Sequence, residues 1–173
     1  MKLAFTGLRI LTGALFVGHG TQKLFGWFGG HGLKATGDAF DGMGLGPGRE
    51  KAALAGLSEA GGGALLVAGL ATPLAGAAIT GTMVQAIRSV HADKGVWVSD
   101  GGWEYNAVII AIVLAVAERG PGPISLDNLL GLKLHGPALA FAALAAGLAG
   151  PALVDGVLAK TVTGSGTAEA TGA

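Results

Sequence analysis

Of the 173 residues, 51% are apolar and only 13% are charged, with a mean hydropathy of +0.60; a soluble domain carries about twice that charged share. Lys and Arg together number 11, as do Asp and Glu, so the formal charge is zero and the chain has no basic footprint for nucleic acid. Cysteine is absent, which excludes disulfides, thiolate metal sites and thiol chemistry carried by the chain itself.

The composition predicts an all-α fold: a transmembrane helical bundle of four core helices with a fifth C-terminal helix, multi-pass in the cell membrane. A span needs about 20 mainly apolar residues. The first expected span runs from Leu3 to Phe25; Arg9 interrupts its apolar run too early for a signal peptide, and no small-residue cleavage site follows. A glycine-rich stretch, GWFGGHGLKATGDAFDGMGLGPG, is expected to be loop, with Trp27 and Phe28 at the membrane boundary. The second span covers Ala52 to Thr72, and the third covers Pro73 to Ala92. Almost nothing separates them, so a tight helical hairpin follows, with Pro73 in a first turn. The fourth, Trp103 to Glu118, is short and follows the loop DKGVWVSDGG. A polar turn with a short apolar stretch, ERGPGPISLDNLLGLK, leads to an alanine-rich fifth segment, Leu134 to Lys160. In domain terms, residues 1–131 form the four-helix unit, 132–160 the extra span, and 161–173 a small, polar, disordered tail. Lys and Arg divide between the two faces, so counting them does not fix the orientation.

Ionisable groups inside spans cost several kcal/mol unless paired or wet, so by default they point to function. Alternating helices deliver them to one face. His19, Gln22 and Lys23 end the first helix there, and Glu59 lies about two turns into the second. Gln85, Arg88 and His91 end the third, and Trp103, Glu104 and Tyr105 open the fourth. At 100° per residue, Arg9, Thr12, Phe16, His19 and Lys23 fall within about 80° of one another. Gly81, Gln85 and Arg88 form a second stripe. Glu59 shares its side with Gly56, Gly62, Gly63 and Leu66, which places it at a helix contact, with Arg88 or His19 as its expected partner. The candidate ligand-binding residues are therefore Arg9, His19, Lys23, Glu59, Gln85, Arg88, His91, Trp103 and Glu104. Bland readings stand beside them: Lys23, His91, Trp103 and Arg88 also suit interfacial anchoring, and Arg9 a helix boundary. Glu104 suits the positive end of a helix dipole. No metal cluster, haem spacing or nucleotide loop is present.

The strings RILTGALFVGHGTQKLFGWFGG, LSEAGGGALLVAGLATPLAG, the His91 region and VSDGGWEY resemble the DoxX family of small bacterial membrane proteins, over roughly Leu3 to Gly131. The resemblance implies a four-helix membrane bundle, with Arg9, His19, Lys23, Glu59, His91, Trp103 and Glu104 at the family's recurrent polar positions. It also implies a redox-associated subunit, since members include or are related to a subunit of a thiosulfate:quinone oxidoreductase. With no intrinsic cofactor, the redox group would be a bound quinone or a partner's cofactor. The expected partners are the lipid bilayer and an oxidoreductase subunit; a homo-oligomer stays open, as does catalysis by the chain itself. Two other classes remain: a small-solute or proton transporter with Arg9 and Glu59 at successive depths, and a structural anchor for a soluble oxidoreductase through the Trp27 and Trp97 loops.

Overall fold

The computed structural model describes residues 2–169 and the side chains of residues 3–158. Among them there is no strand. Helix α1 (Lys2–Phe25) is followed by a 3-10 turn, Trp27–Gly29, and then by α2 (Gly32–Gly42) and α3 (Gly48–Ala68). Helix α4 (Thr72–Ala86) continues as a π-helical stretch, Ile87–His91. Helices α5 (Glu104–Arg119), α6 (Leu126–Leu129) and α7 (Pro137–Glu169) complete the fold.

Two of these elements depart from expectation. The glycine-rich loop contains a helix, α2, because the glycines with positive φ sit at its breaks and Gly37 alone falls in its middle. Gly26, Gly29, Gly32 and Gly44 all hold positive φ, whereas the intervening LKATGDAFD has ordinary helix formers. Helix α2 lies against the start of α3, where Gly37 meets the Arg49 backbone. The final helix runs to Glu169, past the Thr161 boundary expected for an unstructured tail; residues 170–173 lie outside the described part.

Glycine decides how closely α1 and α3 approach. A Cβ added at Gly13 would lie 2.6 Å from the Gly63 carbonyl oxygen, and one at Gly20 would lie 2.4 Å from the Ala60 nitrogen. So close an approach leaves no room for a side chain at either glycine. The α3–α4 hairpin is as tight as its sequence suggests: Gly69 and Ala71 take left-handed conformations and Thr72 starts α4. Helices α1, α3, α4 and α5 share one core, built from Phe16, Leu66, Ile79, Met83, Ile109, Val113 and Val116. Helix α7 packs on α4 and α5.

Two helical segments are long and apolar enough by themselves to cross a bilayer, Leu3–Phe25 and Pro137–Leu158. The other core helices fall short for visible reasons. Helices α4 and α5 have 15 and 16 residues, and α3 is diluted by Ser58, Glu59 and the glycines around them.

The helix ends opposite the long loop are locked together. Arg9 is completely buried, and its guanidinium donates to the carbonyls of Leu66, of Val67 at 2.9 Å and of Ile124 at 2.7 Å. The first two are carbonyls of the last turn of α3, that of Leu66 also accepting the Gly69 N–H at 3.1 Å. Asp127, also buried, accepts the Ala71 N–H on both carboxylate oxygens at 3.1 Å, while its own N–H donates to the Gly69 carbonyl. The post-α5 turn thus clamps the hairpin.

The α1–α3 contact supplies a direct test. Gly20→Ala should destabilise the purified protein by about 2 kcal/mol through overpacking. Gly18→Ala, where an added Cβ has nothing within 4 Å, should be neutral or mildly stabilising in the same thermal melt.

Candidate functional site

The cross-over of α1 on α3 carries the end of α1 to the side of Glu59. There Lys23 Nζ donates to Glu59 Oε2 at 2.6 Å, with the Glu59 side chain only 6% exposed. Glu59 is held on the inner face of α3 with Gly56, Gly62, Gly63 and Leu66, all buried, as the glycine pattern suggests. Its partner differs from expectation. Arg88 is exposed, and His19 pairs with Gln22 on its own helix at 3.2 Å. Lys23 wins because its long side chain leaves the last turn of α1, where it can reach the acid while remaining partly wet.

The ion pair lies in the wall of a cavity of about 670 Å³, within the usual range for small-molecule sites. The polar lining is gathered towards the Lys23 end. It includes His19, Ser58, Gln85 and Asn106, and a second ion pair, Lys51 to Asp155 at 2.8 Å, ties α3 to α7. Gln85 donates to Ser89 at 2.8 Å. Asn106 donates to the Met83 sulfur at 3.4 Å, a weak acceptor. Away from this end the walls are leucine, isoleucine, phenylalanine and alanine, with Leu8, Leu11 and Ile112 farthest along.

Of the nine residues singled out from sequence, His19, Lys23, Glu59 and Gln85 line this cavity together. The other five lie elsewhere. Arg9 shares the α1 stripe but sits about 21 Å along the helix axis from Lys23, at 1.5 Å per residue, in the carbonyl lock of the opposite end. Arg88 turns outward because the π-helical stretch widens the turn and shifts the phase, so Ser89 and Val90 follow Gln85 into the lining instead. His91 donates from Nδ1 to the Gly101 carbonyl at 2.6 Å. Glu104 accepts the Val98 N–H at 2.9 Å. Trp103 is half-buried at the start of α5, with its N–H on the Gly95 carbonyl at 3.3 Å. These three hold the 92–103 loop in shape and do not border the cavity.

Sequence reading passed over Lys51, Asp155, Ser58 and Asn106 as site residues. Asn106 had a usable signal, an amide in the first turn of an apolar helix. The Lys51–Asp155 pair had none, since it depends on the register between α3 and α7.

The Lys23–Glu59 pair should show the asymmetry of a buried salt bridge. Lys23→Met alone should cost about 3 kcal/mol by leaving a buried acid unpaired, and adding Glu59→Leu should recover most of the loss. Thermal unfolding of the two single variants and the double variant checks this; equal losses in Lys23→Met and the double variant would contradict it.

No curated protein and no solved structure matches the chain. The DoxX family profile matches residues 4–92, which holds α1 through α4 and the π-helical turn, and with them Lys23, Glu59 and Gln85. Trp103 and Glu104 fall beyond the matched stretch. That match covers more than half of the sequence, and the protein belongs to the DoxX family of membrane proteins.

Proposed function

We propose that the protein is a multi-pass membrane subunit in which α1, α3, α4 and α5 cross the bilayer as a four-helix bundle and α7 adds a fifth span. In this reading the cavity binds a small, largely apolar molecule of the quinone type, and the chain works alongside an oxidoreductase. One observation carries the proposal: a ligand-sized, mostly apolar cavity with the Lys23–Glu59 ion pair in its wall and with His19 and Asn106 in its lining. A quinone needs this combination, since its ring oxygens take hydrogen bonds and exchange protons while its remaining surface prefers apolar walls. Lys23 would donate to the ring oxygen, Glu59 would orient Lys23 and take up or return the proton, and Asn106 would supply a second donor. Family membership supports a membrane setting, and the short α4 and α5 become long enough to cross once neighbouring helices and the π-helical turn cover their ends.

The transporter reading has less support. Arg9 and Glu59, expected at successive depths of one path, belong to separate structures, and Arg9 is bound to three backbone carbonyls. The anchor reading rests on Trp27 and Trp97, whose exposure of 57% and 64% equally suits a membrane–water boundary.

Quinone titration of the purified protein, followed by tryptophan quenching, tests the proposal. Saturable binding that weakens about tenfold, or 1.4 kcal/mol, in Glu59→Ala and in His19→Ala is the expected outcome. Unchanged affinity in both variants would overturn the assignment of the head group to this end.

A further inference from the structure

Helices α1 and α5 flank the cavity but make no extended contact with each other, although both pack into the shared core. The consequence is visible in single residues. Leu8, Leu11 and Leu15 of α1 and Tyr105 and Val108 of α5 all line the cavity, yet each is between 39% and 60% exposed. Met43 after α2 and Leu54 of α3, at 46% and 41%, are lining residues and exposed as well, so the cavity opens beside the start of α3 in addition to the α1–α5 edge. Along α1 and α5 the opening is a lengthwise slot. From Lys23 at its polar end to Leu8 it follows α1 for about 22 Å at 1.5 Å per residue. The other unpacked edge, between α3 and α7, is bridged by the Lys51–Asp155 pair.

Electrostatics limits what could fill the slot. Both lysines that line the cavity are paired with both carboxylates that line it, Lys23 with Glu59 and Lys51 with Asp155. A charged head group at the buried Glu59 would have to break its pair with Lys23 and leave a charge unmatched in an apolar wall. An uncharged head needs only hydrogen bonds. Asn106 can offer one at little cost, because its amide gives up only a thioether contact.

Resting on the reading of the cavity as a quinone-type site, we infer that the α1–α5 slot is a lateral port for a membrane lipid with an uncharged head and an extended apolar chain. The head lies at Lys23 and Glu59, and the chain runs down the leucine face of α1. The bilayer interior, rather than the aqueous phase, then supplies the ligand.

A tail-length series tests the port. Benzoquinones with no tail, a ten-carbon tail and a long isoprenoid tail are titrated into wild type and into Leu11→Trp/Val108→Trp, which fills the slot at two exposed positions and should leave the fold intact, as checked by helicity. The inference expects affinity to rise about tenfold or more with the tail in wild type, and that increment to vanish in the filled variant while tail-less binding is retained. A tail effect that survives filling, or no tail effect at all, would overturn it. A second measurement separates this inference from the quinone reading. Benzoylphenylalanine in place of the buried Phe16 is irradiated in phosphatidylcholine vesicles containing diacylglycerol. Diacylglycerol adducts that the double tryptophan variant suppresses would support the port even if no quinone bound. Adducts only to phosphatidylcholine, only to a second copy of the chain, or none at all would overturn it.

Discussion

The close approach of α1 and α3 is the constraint on which the rest of the molecule depends. Backbone meets backbone at Gly13 with Gly63 and at Gly20 with Gly56 and Ala60. This fixes both the rotation and the axial offset of the two helices. With that offset, the last turn of α1 arrives beside Glu59 and its lysine is within reach. A larger residue at either crossing would move the helices apart and leave the acid alone in an apolar wall, a state worth several kcal/mol. The glycines therefore do electrostatic work through packing: they make a buried carboxylate tolerable.

The two ends of the fold treat buried charge in opposite ways. At one end Arg9 and Asp127 are held by backbone groups, the carbonyls ending α3 and the N–H of Ala71. Those groups belong to the fold and cannot be exchanged for a ligand without undoing the α3–α4 hairpin. At the other end Lys23 and Glu59 satisfy each other, beside amides and hydroxyls that face open space. Mobile side-chain partners can be shared with a bound molecule at far less cost than backbone. That difference, rather than the number of charges, is why the proposed ligand site lies at the Lys23 end.

Much of this was legible in the residues. An all-helical chain, the tight α3–α4 hairpin, the buried face of Glu59 and the family all follow from apolar patterning, spaced glycines and the strings in α1 and α3. What escaped sequence reading were quantities set by tertiary geometry. Helical phase put Arg9 and Lys23 on one stripe but said nothing of the axial separation that sends them to different structures. The outward turn of Arg88 depends on a π-helical stretch that changes the phase by a fraction of a turn, with no sequence mark in IRSVH. Helix α2 was hidden by glycines that punctuate the segment rather than dissolve it. The Lys51–Asp155 bridge needs the register of α7 against α3, which no local pattern encodes.

The contact between Lys23 and Glu59 is the centre of this arrangement, and labelling can isolate it. Among the described residues the other ion pairs use aspartate, so Lys23–Glu59 is the one close lysine–glutamate pair among them that Nζ-15N lysine and Cδ-13C glutamate would report. Solid-state NMR of such protein in lipid should show one strong nitrogen–carbon dipolar coupling, lost in Glu59→Gln and in Lys23→Met. Absence of that coupling in the wild-type protein, or its persistence in either variant, would contradict the account.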